Sequence, residues 1–145
     1  MKTIEVIKNT ASLISENTSL SEQESKIEAE EIFRFVSRMD RSKLYLNMNS
    51  NVSKSVLENI NHILTKRMEK IPLSYILKKH TFYKSEFYVD ENVLIPRTET
   101  ESIIDQILKM GDQLFDHKGR CNFIDAGCRS GCSGGVGPGG SASAG

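Results

Sequence analysis

The placement of glycine constrains this chain more than any other feature. Of ten glycines, none occurs before Gly111 and eight fall between Gly127 and Gly145. Glycine reaches positive φ without a steric penalty, and it costs roughly 1 kcal/mol relative to alanine inside a helix. Residues 1–110 therefore read as compact structure made of regular elements. The end, Ser-Gly-Gly-Val-Gly-Pro-Gly-Gly-Ser-Ala-Ser-Ala-Gly from Ser133, cannot continue a helix and reads as a flexible, low-complexity tail.

Within the glycine-free part, apolar residues recur at helical spacing. Ile4, Ile7, Ala11 and Ile14 make a stripe over residues 2–17, the pattern of an amphipathic helix. Ser21 followed by Glu24 predicts a capping box. Ile27, Ala29, Ile32, Phe33 and Val36 then predict the buried face of a second helix. Asp40 can cap a short third helix through Leu44 and Leu46. Residues 53–70 carry the longest stripe, with Val56, Leu57, Ile60, Ile63, Leu64 and Met68, spaced by threes and fours. Pro72 ends that helix or opens a short one over residues 73–77. None of these helices is stable alone, so the stripes are expected to pack on one another as a small bundle.

After residue 80 the period changes. Thr81-Phe82-Tyr83 and Phe87-Tyr88-Val89 are aromatic and β-branched, separated by Lys84-Ser85-Glu86; they predict a β-hairpin in which Phe87 and Val89 share one face. Val93-Leu94-Ile95 is a third extended piece before Pro96. Helical spacing returns over residues 98–115 with Ile103, Ile104, Ile107, Leu108 and Leu114. Cys121-Asn122-Phe123-Ile124-Asp125 reads as a buried strand running into a glycine turn.

Charge and cysteine exclude several classes. Lys plus Arg and Asp plus Glu are 19 each, for a net charge of zero, which leaves no broad basic field for direct nucleic-acid binding. No apolar run approaches the ~20 residues of a membrane helix. The N-terminus lacks the apolar stretch of a secretory signal, so a cytoplasmic chain is expected. Cys121, Cys128 and Cys132 are odd in number, which argues against a disulfide framework, and Cys128 and Cys132 have no nearby histidine, which argues against a metal site.

Three segments carry chemistry. The first is Pro72-Leu73-Ser74-Tyr75-Ile76-Leu77 with the aromatic pairs that follow, and the second is Leu94-Ile95-Pro96-Arg97-Thr98-Glu99-Thr100-Glu101. The third is Phe123-Ile124-Asp125-Ala126-Gly127-Cys128-Arg129-Ser130-Gly131. A hydrophobic strand ending in an acid and a glycine turn is how open α/β sheets approach a nucleotide-like ligand. Alone, a glycine turn after a strand is more often only a turn. The aromatic residues have an equally plain reading as core or hairpin packing. Arg97 with Glu99 and Glu101 is either an anchor for cofactor or substrate or a helix-start charge pattern. His62 and His80 read as surface or packing residues, and Glu22 to Glu31 as a solvated helix face.

Taken together and in this order, the three segments resemble the HemK/PrmC-type glutamine methyltransferases that act on peptide chain release factors. The resemblance implies a mainly α fold in four stretches. Residues 1–80 would be a helical substrate-recognition bundle and 81–97 a β-hairpin linker. Residues 98–132 would be the first helix and strand of an incomplete Rossmann-like methyltransferase domain, and 133–145 a tail. It implies S-adenosyl-L-methionine as cofactor, held by the loop Gly127, Cys128, Arg129, Ser130 and Gly131, and a release factor as protein partner.

Three departures from the family pattern matter. Thr98 stands where the family has proline, and is expected to cap the helix that starts there. Arg129 stands where a glycine is expected; its Cβ and positive charge would crowd and repel a sulfonium cofactor. The family's catalytic Asn-Pro-Pro-Tyr run is absent from these residues. A βαβ unit takes about 30 residues or more, and 25 run from Cys121 to Gly145, so the sheet is expected to be incomplete and this chain inactive by itself. A truncated or frame-shifted product is one expectation, because the Lys-, Ile- and Asn-rich body and the Gly-, Ala- and Ser-rich tail favour different codons. The alternative reading is a non-catalytic helical protein-binding module.

Overall fold

The computed structural model describes residues 1–110, which form two units, Met1–Leu77 and a second that begins at Lys78. The first is helical throughout. Helix α1 spans Thr3–Asn17, α2 Glu22–Ser37, α3 Arg41–Leu46, α4 Lys54–Met68 and α5 Leu73–Leu77.

Each helix starts for a local reason. Helix α1 has no side-chain cap from its own N-cap residue; the loop before α4 serves instead. Thr3 and Ile4 donate their main-chain N–H groups to the carbonyls of Ser50 and Met48, both at 3.0 Å. Glu5 accepts the Lys2 N–H at 2.8 Å. Donors that a helix N-terminus leaves orphaned are thus satisfied by tertiary contact. Helix α2 has the expected capping box. The Glu24 N–H donates to Ser21 Oγ at 3.3 Å, and the Ser21 N–H donates to Glu24 Oε2 at 2.9 Å. Helix α3 is capped by Asp40, whose Oδ1 accepts from the Lys43 N–H at 2.7 Å.

The core of this unit gathers Val6, Ile7 and Ile14 of α1 and Ala29, Ile32 and Phe33 of α2. Leu44 of α3, Ile60, Ile63 and Leu64 of α4 and Leu77 of α5 complete it. Burying a side chain of this kind stabilises by roughly 1.5–3 kcal/mol. For α3, only six residues long, Leu44 is the one residue buried in that core.

The stripes differ from expectation in phase. In α1 the buried residues are Thr3, Val6, Ile7, Thr10 and Ile14, while Ile4 is exposed. The loop at 48–50 covers the first turn from the Thr3 side, and the Thr3 hydroxyl donates to the Ser50 carbonyl at 3.2 Å. In α2 Ile27 is 60% exposed and Ser25 takes a fully buried place. Apolar identity alone does not set helix phase when small polar residues fit the contact more closely. Met68, at the last turn of α4, is also exposed.

The glutamate-rich face of α2 is not wholly solvated. Glu28 accepts from Arg67 of α4 through both guanidinium arms, Nε at 2.5 Å and Nη2 at 3.4 Å. Their side chains are only 12% and 15% exposed. This fork ties α2 to α4 across 39 residues of sequence.

The second unit opens with an antiparallel hairpin, β1 His80–Phe82 and β2 Ser85–Phe87. Its register pairs His80 with Phe87, Thr81 with Glu86 and Phe82 with Ser85. The turn is therefore Tyr83-Lys84, not the expected Lys84-Ser85-Glu86. Both turn residues have positive φ, 44° and 67°, as two-residue turns matched to strand twist require. Val93-Leu94-Ile95 forms no strand. Asp90 makes a turn there instead, accepting the Asn92 N–H on its Oδ1 at 3.0 Å and the Val93 N–H on its carbonyl at 3.1 Å. Helix α6 spans Thr98–Lys109. Its N-cap is Arg97, without a side-chain cap bond, so Thr98 is the first helical residue and does not cap. The acids of the first turn, Glu99 and Glu101, favour the positive end of the helix dipole. The remainder of the expected 98–115 helix and the Cys121–Asp125 strand lie outside the described residues.

Candidate functional site

The described part of the second unit is built around Phe82 and Ile104, which are buried together with Tyr83 and Phe87 packed against them. The rings of Phe82 and Phe87 meet edge to face, 6.3 Å between centroids. Phe82 of β1 is buried, and just past the end of β2 Tyr88 is 64% exposed and Val89 buried, the in-and-out order that the sequence pattern predicts although the strand itself stops at Phe87.

Two carboxylates of α6 hold the hairpin turn. The Tyr83 main-chain N–H donates to Glu101 Oε1 at 2.9 Å, and its phenol donates to Asp105 Oδ1 at 2.7 Å. Glu101 and Asp105 are four residues apart and so lie on one face of the helix. The hydrogen bond to Asp105 comes first among the causes that raise the Tyr83 phenol above its ordinary value of 10.0; burial and the neighbouring charges of Asp105 and Glu101 add to it. On the outer side of the hairpin, Lys79 pairs with Glu86 at 3.0 Å.

This arrangement separates residues that the sequence groups together. Of the candidate anchor Arg97, Glu99 and Glu101, Glu101 is committed to Tyr83, while Arg97 and Glu99 are exposed. The aromatic cluster resolves mainly into packing, with Tyr88 the exposed member. His62 is exposed on α4, and His80 begins β1. Among the described residues no group of three or more His, Cys, Asp or Glu is placed to hold a metal ion. Residues Gly127, Cys128, Arg129, Ser130 and Gly131 lie outside the described residues, as do all three cysteines.

Sequence reasoning missed the Tyr83–Glu101–Asp105 arrangement and the Glu28–Arg67 fork. The first left a faint signal, two acids at i and i+4 in a helix with no basic partner between them. The second left none, because its members are 39 residues apart.

On the first unit, α2 and α3 present exposed apolar residues: Ile27, Phe35, Tyr45 and Leu46. The Arg41 guanidinium lies over the Tyr45 ring, 5.9 Å from its centroid, and the Tyr45 phenol donates to Glu30 at 3.4 Å. No helix among the described residues is long and apolar enough to cross a membrane.

Comparison with known proteins places this architecture. The family model described as the PrmC N-terminal domain matches residues 5–77, nearly the whole of the helical unit. Curated relatives named release factor glutamine methyltransferase extend the match further. That of Bacillus subtilis is 32% identical over 103 residues, covering 71% of this chain and 36% of the relative. That of Leptospira interrogans is 32% identical over 113 residues, covering 76% and 37%. That of Chlorobaculum tepidum is 29% identical over 130 residues, covering 89% and 43%. The chain thus spans less than half the length of these relatives.

Proposed function

We propose, for a chain that belongs to the PrmC N-terminal domain family, that the helical unit is the substrate-recognition part of a release factor glutamine methyltransferase. The observation that carries this reading is the family match over residues 5–77, which falls on the bundle, continued by relatives of that name over 103 to 130 residues. In this reading residues 1–80 dock the release factor and 81–97 form the linker. Residues 98–132 open the methyltransferase domain, and 133–145 are a tail. The surface offered to the partner is the exposed apolar side of α2 and α3, Ile27, Tyr45 and Leu46 among it. The compartment is the cytoplasm, where release factors work.

The reaction of the intact enzyme is transfer of a methyl group to the side-chain amide of a glutamine. S-adenosyl-L-methionine, when bound, supplies that methyl group as an electrophile. An amide nitrogen is a poor nucleophile, so orientation and hydrogen bonding must lower the barrier. By their chemistry, residues 127–131 fit that cofactor poorly. Arg129 brings a Cβ and a positive charge among Gly127, Cys128, Ser130 and Gly131, which would disfavour a cofactor that is itself a cation. In this reading the helical unit binds a release factor.

Two titrations test this. Purified chain should capture a bacterial release factor, and truncating Leu46 and Tyr45 to alanine should weaken capture. Calorimetry with S-adenosyl-L-methionine should show no binding tighter than millimolar. Capture with no effect of the α2–α3 variants would overturn the docking face. Tight saturable cofactor binding would overturn the reading of Arg129. Absence of capture would favour a helical module for some other protein partner.

A further inference from the structure

We infer that Glu101 and Asp105 are positioning residues: together they clamp the Tyr83-Lys84 turn to α6, so that hairpin and helix behave as one rigid piece. The inference rests on the geometry of residues 80–105 and stands independently of the functional reading.

The turn needs such a clamp. A two-residue hairpin turn with positive φ at both positions is normally made by asparagine and glycine. Here the residues are Tyr83 and Lys84, at φ 44° and 67°, and a Cβ in the left-handed region costs energy at each. The hairpin pairs only three residues per strand, and an isolated hairpin is marginal at best in water. Left to itself, this turn would open. Three contacts with α6 hold it. Phe82 and Ile104 form a dry contact, the Tyr83 N–H is fixed by Glu101, and the Tyr83 phenol is fixed by Asp105. A backbone donor and a side-chain donor of one residue thus reach two acceptors one helical turn apart, a two-point attachment that fixes rotation as well as distance. The donors also offset the repulsion of two carboxylates at i, i+4.

The clamp has a consequence for the segment between. Residues 88–97 leave the hairpin and return to α6, so tying the two ends together closes that stretch as a loop. Its entropy is reduced, and Arg97 and Glu99 are presented from a fixed helix end. The acids of Thr98-Glu99-Thr100-Glu101 accordingly divide their work: Glu101 holds structure and Glu99 faces solvent.

Amide hydrogen exchange by NMR on the 145-residue chain tests the clamp, with Glu101→Gln and Glu101→Leu compared. Glutamine retains an acceptor oxygen and leucine does not. The Tyr83 amide should exchange roughly tenfold or more faster in Glu101→Leu and stay within about twofold of the parent in Glu101→Gln. Unchanged protection in the leucine variant, or equal loss in both, would overturn the inference. A second measurement needs no change at Glu101. In the parent, the Tyr83 phenol should titrate above its ordinary value of 10.0, and in Asp105→Asn it should move down towards it. A Tyr83 phenol that titrates at or below 10.0 in the parent would overturn the Asp105 half of the clamp.

Discussion

Removing either member of the Glu28–Arg67 fork should destabilise the helical unit more than any surface charge change, while removing both should not. The two side chains are 12% and 15% exposed, so most of the desolvation of each charge is incurred on folding. Breaking a fully buried pair by deleting one partner costs about 3–5 kcal/mol, because the survivor is left charged and dry. The residual exposure lets water reach the survivor, so we scale this to roughly 2–4 kcal/mol. A unit the size of Met1–Leu77 has a total stability of roughly 4–12 kcal/mol. Glu28→Leu or Arg67→Met should therefore take away a large part of it. With a urea slope of about 1 kcal/mol/M, the midpoint falls by roughly 2–4 M. The double variant puts two apolar side chains of similar length where the charges met. It should return to within about 1 kcal/mol of the parent, since apolar replacement of a buried pair is often neutral. Urea unfolding followed by helical circular dichroism gives all four corners of the cycle. A coupling energy of at least about 2 kcal/mol is expected. Single variants that shift stability by under about 0.5 kcal/mol each, or a double variant that equals their sum, would refute the reasoning.

Three further outcomes are expected. Ser25→Ala should leave stability unchanged or raise it by up to about 1 kcal/mol, because the fully buried Ser25 hydroxyl finds no hydrogen-bond partner among the described residues and an unsatisfied buried polar group costs free energy; a thermal melt that falls clearly would contradict this. Lys84→Gly should strengthen the hairpin by roughly 0.5–1 kcal/mol, relief of the left-handed Cβ outweighing the added freedom of the unfolded chain; the Phe87 amide should then exchange about two- to fivefold more slowly. Glu24 is held below its ordinary 4.5, first by the Ser21 hydroxyl and then by the Ser21 main-chain N–H. A carboxyl depressed in the folded state adds stability that is present above its unfolded value and lost as pH falls through its folded one. Fraying at the start of α2 should therefore begin only below pH 4.5. In Ser21→Ala the Glu24 titration, followed by NMR, should move up towards 4.5.

The sequence by itself determined where most elements lie. Apolar periodicity located α2 and α4. Ser21 with Glu24, and Asp40, located the starts of α2 and α3, and Pro72 marked the opening of α5; these are signals carried by residues three or four apart. The switch to aromatic and β-branched residues announced the hairpin, and the order of motifs pointed to the family. Tertiary structure decided what depends on distant residues. The loop at 48–50 caps α1 and turns its buried face from Ile4 to Thr3 and Thr10. Arg67 takes Glu28 off the solvated face of α2. Glu101 and Asp105 settle the hairpin turn at Tyr83-Lys84 and remove Glu101 from the candidate anchor. A local pattern records the preferences of neighbours along the chain, whereas a hydrogen bond between residues 18 or 39 apart exists only once the fold has brought them together.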